Sequence, residues 1–264
     1  MPGGGAAAPQ DKPVPAIPPR PSSDLDLPPG FTLVALREVG DAFAHACGIA
    51  GRAGAGTLVW ARRASMAEFA IVLEPEEPLA GARRALFAGM NALADALAAR
   101  IPPEKPLAFD WPDAIRVDGG LIGGGRLAWP PGTAEHAVPE WLVFGAMLRV
   151  TIGALYEGGA TPDITGLEEE GFEEADPAAL IAATARHLMA GFDTWAERGF
   201  RPLGEAYLAR LPGRPAEGAG RRGIDAVGDL ILETAPGGIV SRQRLVPALA
   251  APSWLDPATG DPRL

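Results

Sequence analysis

The segment LAGARRALFAGMNALADALAARI, residues 79–101, constrains the fold more than any other stretch. Apolar side chains recur at Leu86, Met90, Leu93 and Leu97, the three-and-four spacing of one helical face, while Arg83, Arg84 and Asp95 take the other. Pro102-Pro103 removes the backbone donors that another turn would need, so the helix stops there. A helix this apolar must be covered, and the chain around it supplies strands for the purpose. GTLVWARR and EFAIVLEPE precede it and WLVFGAMLRVTIG comes after it, each of strand length and bounded by turn residues.

The remaining punctuation completes the order of elements. PPGFTLVALREV reads as an entry turn and a strand, and GDAFAHACGIAGRA as a helix of small apolar residues. In AIRVDGGLIGGGRLAWP, Asp118-Gly119 supplies the positive φ angles of a tight hairpin turn between two strands. Asp176 followed by Pro177 is a helix start, an N-cap acceptor and then a residue suited to the first turn, and it opens PAALIAATARHLMAGFDTWAERG. After Gly199 the texture shifts to a short helix and several short strands, read as a small β-barrel module over 201–250. The fold class is therefore α+β: a main domain over 28–200, the small C-terminal domain, and two tails. Nine of the 28 prolines fall in the first 30 residues, so residues 1–27 read as a disordered leader. Residues 251–264 read as a second, frayed end.

Charge narrows the partners. The chain carries 23 Lys plus Arg against 33 Asp plus Glu, a formal charge of −10 over 264 residues, which argues against nucleic acid and anionic membranes. No apolar run is long enough to cross a bilayer, the N-terminus lacks the pattern of a signal peptide, and the single Cys47 excludes an internal disulfide. A cytoplasmic protein is expected. Only Lys12 and Lys105 are lysines among the cations.

Three stretches together resemble the biotin/lipoate protein ligase superfamily, the biotin protein ligases in particular. FDWPDAIRVDGGLIGGG at 109–125 resembles the family's Lys-Trp-Pro-Asn-Asp strand, hairpin and glycine; EWLVFGAMLRV at 140–150 is similar to a family strand ending in Asn-Val; RRGIDAVGDLILET at 221–234 is similar to the Gly-Ile-Asp hairpin of the C-terminal domain. The resemblance implies a mixed sheet flanked by helices with an SH3-like C-terminal barrel. It also implies chemistry that joins biotin or a related acid to AMP from ATP and passes the acyl group to a lysine of a carrier protein. Homodimers occur among such ligases.

The sequence departs from that pattern where the chemistry is concentrated. The family's Gly/Arg-rich loop after the second strand is missing, leaving only Arg62 and Arg63. Asp110 stands where the family has the lysine before Trp-Pro, Asp113-Ala114 replaces Asn-Asp, Leu121 replaces the hairpin lysine, and Arg149-Val150 replaces Asn-Val. Arginine binds phosphate bidentately and could substitute for lysine, the candidates being Arg62, Arg63, Arg116 and Arg126. Lys105 could serve only by folding inward. No residue is assigned a catalytic role. The ligand-pocket candidates are Arg62, Arg63, Asp110, Trp111, Pro112, Asp113, Arg116, Gly123, Gly124 and Gly125, the glycines because they let a ligand approach backbone closely.

The other chemistry-bearing residues read as structural. His45, His136 and His187 have no metal-ligand spacing, so no metal site is expected, and Cys47 lacks a neighbouring base. The carboxylates of 168–176 read as a solvated loop. Three functions fit: a divergent ligase-like protein with a pocket for a small carboxylic acid and no standard adenylation; an active biotin or lipoate ligase working with arginines and ATP; and a non-catalytic protein that binds a carrier-like partner.

Overall fold

The computed structural model describes residues 25–37, 40–153, 163–172, 175–213, 220–234 and 237–263. The expected leader over 1–27 falls outside these except for its last three residues, of which Leu25 and Leu27 pack against the core.

Seven strands form one sheet in the order β1 (Thr32–Leu36), β2 (Thr57–Ala61), β3 (Met66–Leu73), β7 (Leu142–Arg149), β6 (Gly120–Ala128), β5 (Ala114–Val117), β4 (Leu107–Asp110). Only β1 and β2 run parallel, because the helix α1 (Ala42–Ala53) returns the chain between them; every other pair is antiparallel. The mixed sheet expected from the sequence is thus present. The hairpin turn falls at Asp118 and Gly119, with φ of +50° and +85°.

Period-two alternation sends the two sets of side chains to different covers. Leu58, Trp60, Phe69, Ile71 and Phe144 face α3 (Ala85–Ala98) and α4 (Pro177–Arg198), whereas Val59, Ala61, Ala70, Val72 and Val143 face α1. The predicted long helix begins as the short α2 (Leu79–Ala82) and continues as α3. It sits close to the sheet because Gly89 has no Cβ, which would lie 2.3 Å from the Phe144 ring. On the other face, Ala42, Ala46 and Ala50 give α1 a smooth buried side. Its N-terminus is capped by Asp41, which accepts from the Phe43 and Ala44 amides, and by buried Glu68 of β3, which accepts from the Ala42 amide at 2.8 Å. Asp176 caps α4 and Pro177 opens it, as expected.

The region after Gly199 departs from expectation. α5 (Arg201–Arg210) belongs to the main body: Asn91 of α3 donates to the Leu203 carbonyl, Arg210 reaches Asn91 and Asp95, and the Tyr207 hydroxyl donates to the Pro112 carbonyl at 2.9 Å. Beyond α5 lie a three-stranded antiparallel sheet, β8 (Arg221–Ile224), β9 (Leu230–Glu233) and β10 (Val240–Gln243), and a short helix α6 (Leu245–Leu249). Among the described residues no barrel closes. Three four-residue strands leave β8 and β10 as edges, and every residue of β10 is exposed, so no second layer covers it. The C-terminal residues are not frayed either: Trp254 is fully buried. Among the described residues, no helix is long and apolar enough to cross a membrane.

Candidate functional site

Eight of the ten predicted pocket residues lie in one neighbourhood, the β4–β5–β6 corner, where they divide between the two faces of the sheet; Arg62 and Arg63 lie in the β2–β3 turn. Trp111 turns toward the helices, where it stacks on Phe87 with ring centroids 5.5 Å apart and meets Tyr207 edge-on at 5.9 Å. The Pro112 carbonyl anchors α5 through Tyr207. The Trp-Pro pair is therefore part of the core on that side.

Asp110 and Arg116 occupy the opposite face at the sheet edge. Arg116 Nε donates to Asp110 Oδ2 at 2.6 Å, and its Nη1 donates to the Gly119 carbonyl at 2.8 Å. The anion that stands in place of lysine thus has its own cation. Lys105 is held away from this pair between Asp118 at 2.7 Å and Glu170 at 2.8 Å, which together raise its pKa. Glu170 also accepts from Thr165, Glu169 accepts from the Thr151 hydroxyl and the Ile152 amide, and so part of the acidic stretch read as a solvated loop is tied to its neighbours.

The turn between β2 and β3 spans only residues 62–65. Arg62 lies over the Trp60 ring, 5.6 Å from its centroid. Arg63 bridges Glu68 at 3.2 Å and Asp261 at 2.6 Å. Arg126, a further candidate for binding phosphate, pairs with Asp41 at 3.1 Å and lies over Phe43.

The three consecutive glycines answer three separate demands. Gly123 sits at φ +142°, beside a bulge in the β5–β6 pairing, and a Cβ there would strike the Met147 carbonyl. Gly125 makes room for Met90 and Phe144 on the helix side. Gly124 opens the other face, and a Cβ on it would stand 2.5 Å from the indole of Trp254. Close approach to the backbone, expected at these glycines, does occur, and the group that approaches is the chain's own C-terminal tryptophan.

That indole packs with Met66, Ala114, Leu121 and Met147, and its Nε1 donates to the Gly125 carbonyl at 3.2 Å. Next to it Asp113 is fully buried. Its Oδ1 accepts from the Ser253 hydroxyl at 3.2 Å, while Oδ2 has no partner. Burial is the main cause that pushes this carboxyl up to about 7, against the Ser253 hydrogen bond, which lowers it. Arg149 runs under the same segment, its Nη2 donating to the Pro262 and Arg263 carbonyls at 3.0 Å each and its Nη1 to those of Leu121 and Thr165. Sequence reasoning missed Trp254, Ser253 and Asp261.

Elsewhere a cavity of about 460 Å³ lies on the helix face, lined by Leu73, Leu142, Ala85, Phe192 and Trp195 with Glu74 and Glu77 at its rim. None of the predicted pocket residues lines it. Cys47 is half-buried, and burial raises its thiol pKa, so no activated nucleophile is present there. Among the described residues no cluster of His, Cys, Asp or Glu could hold a metal ion.

Comparison with known proteins agrees with this architecture. The model of the biotin/lipoate A/B protein ligase family matches residues 27–209, and the chain belongs to that family. A biotin–[acetyl-CoA-carboxylase] ligase of Paracoccus denitrificans is 32% identical over 176 residues, 61% of this chain and 71% of the relative. A solved biotin protein ligase-like protein of unknown function from Silicibacter sp. is 28% identical with a TM-score of 0.70, covering 84% of this chain and 97% of that one. The biotin protein ligase of Aquifex aeolicus, at 14% identity and a TM-score of 0.57, shares the fold over 81% of this chain and 99% of its own.

Proposed function

We propose that this chain is a divergent member of its family that keeps a seat for a small carboxylic acid on the sheet, over Gly123–Gly125, without the machinery for standard adenylation. The observation that carries the reading is the Arg116–Asp110 pair at 2.6 Å. A ligase must aim fixed cations at the charge that develops as triphosphate and carboxylate meet. Here the position before Trp111 is an anion and its neighbouring arginine is engaged with it. Arg63 and Arg126 are likewise paired to carboxylates, so a triphosphate would have to displace internal partners to recruit them.

Pyrophosphate exchange with ATP and biotin, lipoate or octanoate tests the reading. The expected result is no exchange above background, together with a thermal shift from at least one of the acids without ATP. An exchange signal that Arg116→Ala or Lys105→Ala abolishes would instead establish an active ligase using ATP. A second reading has one observation in its favour: Trp254 already fills the space over Gly124. If no acid shifts the protein, it is a non-catalytic protein that binds a macromolecular partner such as a carrier domain.

A further inference from the structure

Four positions at which the chain departs from the ligase pattern all meet one segment. Asp113 accepts from Ser253, Leu121 packs in the cluster around Trp254, Arg149 donates to Pro262 and Arg263, and Arg63, in the shortened turn, pairs with Asp261. These residues come from β6, β7 and two different turns, and what they share is the C-terminal segment lying across them. The altered site and the segment are one arrangement.

The segment is built to lift as a unit. Of residues 253–263 only Trp254 and Pro262 are buried. Within the segment the Asp256 amide donates to Asp261, Gly260 to Asp256 and Arg263 to Trp254, with a bridge between Leu255 and Pro262, while the Pro262 and Arg263 carbonyls accept from Arg149 of the sheet. Leaving the sheet would therefore strand few of its own donors. It is also not tightly packed along its length, since a cavity of about 290 Å³ separates Thr259 and Asp261 from Ser65 and Thr151.

We infer that residues 253–263 form a removable strap whose Trp254 indole holds the ligand seat, so that a ring-bearing small acid and the indole compete for one place over Gly124. This rests on the small-acid reading above and names the ligand's chemistry. A displacing ligand must supply what the indole supplies: a flat apolar body against Met66, Leu121 and Met147, and an N–H aimed at the Gly125 carbonyl. Its carboxylate takes the Arg149 Nη2 donors that the Pro262 and Arg263 carbonyls now occupy. Biotin, with ring N–H groups and a carboxylate, meets these demands; lipoate and octanoate have the carboxylate and no N–H.

The test titrates biotin, lipoate and octanoate into the full native chain and into Trp254→Ala, with hydrogen exchange monitored at the Asp256 and Arg263 amides. Because the strap withholds the competent state, its removal should tighten biotin binding on the order of ten-fold, more than for the other two acids. Biotin should also speed exchange of both strap amides in the native chain. Should Trp254→Ala fail to fold, the double variant Ser253→Ala/Asp261→Ala, which leaves the indole in place, carries the same comparison. Equal affinities in native chain and variants, with strap exchange unchanged, overturn the strap and leave the seat standing. Absence of binding by any acid to any of the proteins overturns the seat, and the strap with it.

Discussion

The two faces of the seven-stranded sheet are closed in different ways. On the helix side Phe87, Phe109, Trp111 and Tyr207 form a contiguous aromatic cluster with ring centroids 4.7–5.9 Å apart; the Tyr207 hydroxyl in it donates to a carbonyl, and the buried Trp111 Nε1 has no partner. On the other side α1 packs alanines against β2, β3 and β7, and beside it lies the strap, which has two buried residues and sits over a fully buried carboxyl with one unpartnered oxygen. A face closed by packed helices can open only by unfolding. A face closed by a strap with only two buried residues can open locally, at a fraction of the global free energy. That difference is the reason for seating the proposed ligand on the strap side.

Substitutions on the two faces should therefore behave differently. Phe87→Ala removes a ring held among three others by helices that cannot follow it, and should cost about 3–5 kcal/mol in denaturant unfolding. Asp113→Asn should act in the opposite direction. The folded chain holds the Asp113 proton up to about pH 7 and the unfolded one only to about 3.8, so the stability it contributes is complete below about pH 4 and is lost as pH rises through 7. Asparagine keeps the acceptor for Ser253 and carries no charge. The variant should be more stable than the native chain at pH 8, by on the order of 2–4 kcal/mol, with a flat profile from pH 4 to 7 where the native profile falls.

Trp254→Ala deletes a larger side chain than Phe87→Ala and should nevertheless cost less, about 1–3 kcal/mol, because the strap can detach instead of leaving a cavity. A larger cost for Trp254→Ala than for Phe87→Ala, measured side by side, breaks the contrast between the faces. Asp110→Ala should be smallest, within about 1 kcal/mol, since the Arg116 pair is partly exposed and screened.

Much of the main sheet is legible in the sequence because its signals are local: strand-length apolar runs, the Asp118-Gly119 turn, the Asp176-Pro177 start of α4. Pattern alone assigns α5 to the C-terminal module, because the residues that bind it, Asn91 and Pro112, come from far along the chain. It also over-reads a barrel, since short strands look alike in a meander and in a closed barrel. The strap is invisible for a sharper reason. Residues 252–263 read PSWLDPATGDPR, turn-formers without periodicity, and compositional reasoning rightly finds no element there. Trp254 is buried because Gly124 lacks a Cβ, and no local pattern at either residue points to the other. The glycines do announce a close approach; only the structure names what approaches.

The most direct measurement tracks the indole N–H of Trp254 by two-dimensional NMR, assigned with Trp254→Phe among the six tryptophans, while biotin is added to the full chain. This resonance should move to the position of a solvent-exposed indole as biotin saturates, while those of Trp60 and Trp111 in the helix-side core stay where they are. If biotin binds and the Trp254 resonance does not move, indole and ligand do not share a seat, and the strap is no competitor for it.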